Sequence, residues 1–255
     1  MPTLLRSRLI AASLHFLASL SIFMLLLLIV IKLWYPQPHF SASGGLQGLT
    51  IIALVDLVLG PLITLIIYNV TKPKKELIID LSIIILIQLS ALFYGMHTVY
   101  TQRPVALAFW ESKFYTVSAA DFEQQAIAIT ELKQFSNHTP ALIYAEKPTT
   151  VAGLQAMMAT TQTQQIPPFA QLALYHSISS YKQAIFKHSI DINEVIKLNA
   201  DMAEQLLQLL TETNTQKDDN FYIALESKYQ NIILIFNAEA DQIGFLKAPY
   251  KQSNL

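Results

Sequence analysis

Asp56 lies in the run Leu54-Val55-Asp56-Leu57-Val58-Leu59-Gly60-Pro61-Leu62-Ile63-Thr64-Leu65, which is otherwise uncharged. An ionisable group inside so apolar a segment costs about 2.5–3.5 kcal/mol to insert into a bilayer, and so points to a function. Two structural roles compete with that reading. Asp56 can be protonated and serve helix packing, or it can pair with Lys32, whose long side chain covers part of the ~10 Å of depth between them. The neighbouring pair Gly60-Pro61 predicts a kink that frees backbone carbonyls. Gln88, in another apolar run, can hydrogen-bond between helices for ~0.6–2 kcal/mol. Asp56, Gly60, Pro61 and Gln88 are therefore the candidate partner-binding residues.

Other chemistry finds no support in the sequence. Asp56 and Asp80 together suggest an aspartic-protease dyad, which needs two carboxylates sharing one proton. Helical rise places them ~13 Å apart in depth, too far to share it, and no Gly-x-Gly-Asp motif is present. His138, His176 and His188 show no HxxxH or HExxH spacing, so no metal site is expected. Gly-x-Ser-x-Gly and a Gly-rich phosphate loop are also lacking, and there is no cysteine for thiolate or zinc chemistry. The expectation is a protein without catalytic residues, metal or cofactor, and not an enzyme.

These residues sit on apolar elements. Of 255 residues, 53% are hydrophobic and 14% charged, with a mean hydropathy of +0.38; a soluble chain carries roughly a quarter charged residues. Up to Arg103 there are seven Lys and Arg against three Asp and Glu; from Pro104 onward there are ten against fifteen. No basic stripe exists to bind nucleic acid. Three runs, at about residues 9–33, 49–68 and 77–99, reach the ~20 residues needed to cross a ~30 Å hydrocarbon core. Arg6 and Arg8 precede the first run, and Lys72, Lys74 and Lys75 fill the turn between the second and third. The connection from Tyr35 to Gly48 has no Lys or Arg. The positive-inside rule then puts the N-terminus in the cytoplasm and everything after the third span outside it. Trp34 and Tyr35 read as membrane-interface anchors, with Pro36 as a helix stop. A cleaved signal peptide is the competing reading of the first run, with Ser41-Ala42-Ser43 as its cleavage site. The apolar stretch from Leu9 to Ile31, 23 residues, exceeds the 7–15 of a signal core.

The chain thus divides into a membrane region, residues 1–102, and an exported domain, residues 103–255. In the latter, Val105–Trp110 and Phe114–Val117 read as strands about the turn at Glu111-Ser112-Lys113. Asp121 caps a helix reaching about Phe135, and Ala141–Tyr144 is a further strand. Residues 150–210 read as largely helical, broken at Pro167-Pro168. Asp191 and Glu194 form a capping box, behind which Val195, Leu198, Met202, Leu206 and Leu209 recur at helical spacing. Phe221–Leu225, Asn231–Phe236 and Gln242–Leu246 form an antiparallel meander. The expected fold is a three-helix transmembrane bundle followed by an α+β periplasmic domain with antiparallel strands.

Several elements together resemble the TfpX/TfpZ type IV pilin accessory proteins of Gram-negative bacteria. They are Trp34-Tyr35-Pro36, the whole run from Leu54 to Leu65, Asp80-Leu81, Gln88-Leu89, Ala91-Leu92, Tyr94-Gly95 and Arg103-Pro104-Val105. The resemblance is strong from Leu9 to Tyr115 and weak beyond. It implies a multi-pass inner-membrane protein that assists type IV pilin stability and pilus assembly, with pilin and pilus assembly-platform proteins as partners. A membrane-tethered periplasmic sensor or ligand-binding protein without a pilus role is the alternative.

Overall fold

The computed structural model describes residues 2–251 and divides the chain into two compact units. One comprises Met1–Phe40 and Gly44–Thr101; the other comprises Ser41–Ser43 and Gln102–Leu255.

The first unit contains three apolar helices, Leu4–Trp34, Gly45–Ile67 and Lys74–Thr101, each long and apolar enough to cross a membrane. Only 17–22% of the most apolar window of each is buried, and Leu25, Ile66 and Leu86 stand more than three-fifths exposed. Large apolar side chains facing outward on every helix are the reverse of a soluble bundle and suit a hydrocarbon solvent. The interior is a thin seam built on Leu26, Val30, Leu49, Ile52, Leu92 and Val99. Small residues let the second and third helices approach. A Cβ at Gly48 would sit 2.5 Å from Val99 Cγ2, and one at Gly95 2.8 Å from Ile52 Cγ1.

The ends are tied by polar groups. Arg8 Nε donates to the Tyr68 carbonyl at 2.8 Å, answering an orphan carbonyl at the end of the second helix. Lys72 pairs with Asp80 at 2.5 Å. Trp34 meets Tyr100 edge-on at 5.0 Å between ring centroids. Tyr35 is buried, and its hydroxyl donates to the Val99 carbonyl at 2.9 Å. Tyr35 thus packs within this unit, adjacent in sequence to the Trp34–Tyr100 contact. His39, in the connection between the first two helices, is 2% exposed; burial lowers its pKa to about 4, because an imidazolium there would lose its hydration.

The second unit is a seven-stranded sheet, order β4-β3-β1-β2-β5-β6-β7. The strands are β1 Pro104–Trp110, β2 Lys113–Ser118, β3 Ala141–Ala145, β4 Tyr175–Ser177, β5 Phe221–Glu226, β6 Gln230–Phe236 and β7 Gln242–Tyr250. β1 is buried along its whole length, as its unbroken apolar run requires of a strand covered on both faces. The sheet is mixed. The β1–β2 hairpin, the β3–β4 pair and the β5–β6–β7 meander are antiparallel, whereas β1–β3 and β2–β5 are parallel. The parallel pairs arise from two long connections, residues 119–140 after β2 and 178–220 after β4, whose return strand periodicity does not encode.

Three further expectations need correction. The helix after β2 is short, Ala119–Gln124, and its cap is Ser118, with Asp121 as the reciprocal partner inside the first turn; a separate 3₁₀ turn, Ile129–Gln134, follows. Asp191 caps Ile192–Leu198 as expected, but through the Asn193 N–H. That helix stops at Asn199, whose side chain caps a new helix, Ala200–Thr213. The break leaves Leu198 89% exposed while Met202 and Leu206 are buried. β4 and the helix Lys182–Phe186 lie inside the stretch read as one helical region.

Residues 41–43 belong to this unit. Ala42 is fully buried in the cluster with Leu107, Phe114 and Leu234. Its carbonyl accepts the Tyr229 N–H at 2.9 Å, and Ser41 Oγ donates to Gln230 Oε1 at 2.9 Å. Gln230 Nε2 in turn donates to the Ala248 carbonyl at 2.6 Å.

Candidate functional site

Leu49, Ile52, Asp56, Gly60 and Thr64 form the buried stripe of the second helix. Three consecutive steps of four residues, from Ile52 to Thr64, would drift about 120° around an ideal α-helix. The chain absorbs that drift in a π-helical segment, Leu54–Leu59, closed by the Gly60 N–H donating to the Val55 carbonyl. Turns of this kind recur at functional sites. The segment also answers Pro61, which has no N–H to give and whose ring crowds the carbonyl four residues back in an α-helix. The break expected at Gly60-Pro61 thus takes the form of a widened turn, and the helix continues to Ile67.

Asp56, 6% exposed, points into the bundle. Its Oδ1 has no hydrogen-bond partner, and neither has Gln88 Nε2. No ion pair joins Asp56 to Lys32 among the described residues, and Asp80, engaged by Lys72, takes no part. The Gln88 amide fills the space over Gly60. Asp56 and Gln88 line one cavity of about 120 Å³ with His15 and Ser19 of the first helix. His15 Nδ1 shares a hydrogen with Thr64 Oγ1 at 2.6 Å, and the pair also lines a wider cleft of about 540 Å³ with Ser7 and Tyr68. On the other side, Asp56 borders an apolar groove of about 250 Å³ between the second and third helices.

Of the four residues singled out from sequence, Asp56, Gly60 and Gln88 are brought together, while Pro61 shapes the helix without lining these cavities. His15, Ser19 and Thr64 complete the cluster. The four-residue spacing of Ile52, Asp56, Gly60 and Thr64 was the available signal for Thr64; nothing in the sequence pairs His15 with it. In the second unit, His176 Nε2 lies 3.2 Å from Glu146, His188 rests against Phe109, and His138 lines a polar cleft of about 290 Å³ with Lys133, Glu239 and Asp241.

The family model described as Fimbrial assembly protein FimB matches residues 3–44, which include Trp34-Tyr35-Pro36 but not the Asp56 run. The chain is 40% identical over 123 residues to the Fimbrial assembly protein, serogroups C1 and C2, of Dichelobacter nodosus, covering 48% of this chain and 90% of that protein. It is 39% identical over 126 residues to the serogroup I protein of the same organism and 37% identical over 126 residues to that of serogroup E1, covering 49% of each chain. The match thus spans about half the length of these last two relatives. No solved structure matches the chain. With 90% of one relative covered at this identity, the chain belongs to the fimbrial assembly protein family.

Proposed function

We propose that this protein is a non-enzymatic accessory factor or chaperone of the bacterial inner membrane that assists the stability of the type IV fimbrial subunit and its assembly into pili. One observation carries the reading. A chain whose relatives are named fimbrial assembly proteins holds a buried acid, a glycine and an amide together inside an apolar bundle. Buried polar groups within membrane helices mark function by default. The N-terminus is cytoplasmic and the sheet domain periplasmic. The second helix, around Asp56, Gly60, Pro61 and Gln88, offers the contact for the subunit's apolar helix, and the periplasmic domain meets its head. Two linked weak contacts raise avidity without either being strong. Pilus assembly-platform proteins are further partners.

Deletion of the gene tests this. The expected result is a loss of subunit protein and of surface fimbriae with subunit transcript unchanged. Restoration by the wild-type chain but not by Asp56→Leu supports the site as well. Normal fimbriation in the deletion strain refutes the function; full complementation by Asp56→Leu refutes only the site.

A second reading, a membrane-tethered ligand-binding protein without a pilus role, draws on the polar cleft at Lys133, His138, Glu239 and Asp241. Normal subunit levels in the deletion strain favour it.

A further inference from the structure

The cavity bounded by His15, Ser19, Asp56 and Gln88 poses a problem of its own. Two of its polar atoms, Asp56 Oδ1 and Gln88 Nε2, are buried without a partner. Such atoms are rare in folded proteins and each calls for an explanation. At about 120 Å³ the cavity is several times larger than one water requires; Ile22, Ile85, Leu89 and Leu92 form its apolar wall, and His15, Ser19, Asp56 and Gln88 supply the polar partners that can hold water. Among the described residues, no Lys or Arg lines the cavity or pairs with the carboxyl group. The titratable group facing Asp56 from the first helix is His15; the third helix presents only the neutral amide of Gln88. His15 also lines the wide cleft with Ser7 and Tyr68, so it borders both spaces.

We propose that this cavity is a hydrated proton-binding site within the bundle, with Asp56 as the group that takes up and releases the proton. Uptake forms one O–H bond on the carboxylate as one O–H bond of a hydronium ion in the cavity breaks and leaves water, and release to water reverses it. The neutral acid suits the apolar surroundings. It hydrogen-bonds to the cavity water, which also answers the Gln88 amide. The ionised form depends on that same water for its hydration. The inference does not rest on the fimbrial role, and its test needs no fimbrial partner.

Infrared difference spectroscopy of the full-length chain in lipid nanodiscs reads the site directly. The wild type minus Asp56→Asn spectrum is expected to contain the carbonyl band of a protonated carboxylic acid. The band should shift in D₂O, because the cavity is hydrated, and be lost as pH is raised. Gln88→Leu should keep the band but shift its frequency, which guards against a misfolded Asp56→Asn variant. Asp80→Asn should leave it unchanged. Four results overturn the proposal: no Asp56-dependent band at any pH, a band that does not exchange in D₂O, a band that survives at all pH values, or a band displaced by Na⁺ or K⁺ at fixed pH. The last would make the cavity a cation site.

Discussion

The side-chain amide of Gln88 occupies the space where a side chain at position 60 would stand. Gly60 is one of the buried positions of the second helix, and a Cβ there would overlap Gln88 Nε2. The third helix can bring an amide this close to the second helix's backbone only because residue 60 has no side chain.

Gly60→Ala should therefore destabilise the bundle by about 1–3 kcal/mol, the usual cost of overpacking. Thermal unfolding in detergent or nanodiscs measures it. Combining the substitution with Gln88→Ala should recover most of the loss, since the clash needs both groups. Additive losses in the double variant would show that the contact is not the cause.

His39 makes stability depend on pH. Burial lowers its pKa from 6.5 to about 4. The unfolded chain therefore binds this proton first as pH falls, and the folded state loses ground. The contribution is intact above about pH 6.5 and declines toward pH 4, by on the order of 3 kcal/mol in all. His39→Phe should flatten this part of the stability–pH curve. A slope unchanged by the substitution would assign it to another group.

Gln205 guards the edge of the sheet. β7 is a terminal strand. The Lys247 N–H donates to Gln205 Oε1 at 2.9 Å, while Gln205 Nε2 donates to the Lys247 carbonyl at 3.3 Å. The side chain thus takes up main-chain groups that a stray strand would otherwise use. Gln205→Ala should cost about 1–3 kcal/mol and raise concentration-dependent aggregation, measured by light scattering.

The proposed topology can be tested cleanly because the chain has no cysteine. A membrane-impermeant thiol reagent applied to intact spheroplasts should label Ser112→Cys in the β1–β2 turn. It should reach Lys74→Cys only after lysis. The opposite pattern would invert the arrangement.

Hydropathy alone locates the three apolar helices, since any long uncharged run must find an apolar environment. It also exposes Asp56 and Gln88 as misfits. The partners of these misfits are less legible. His15 and Thr64 are 49 residues apart, and only the packing of two helices brings them together. Short connections reveal the β1–β2 and β5–β6–β7 pairings, because a tight turn allows no other neighbour. They say nothing of the parallel joins, which depend on how a long crossover returns. The helix break at Asn199 is hidden by helical spacing that continues across it, although Asn is a good cap. β4 is only three residues, Tyr175–Ser177, too short to show a period.

The burial of Ala42 also means that the sheet domain is encoded in two separated pieces. A fragment starting at Gln102 has the whole sheet but lacks Ala42. It should expose an apolar notch beside Leu107 and Leu234 and leave the Tyr229 amide unanswered. The domain's core thus depends on a residue supplied from between the first two helices, and a cut at Gln102 should lower its solubility.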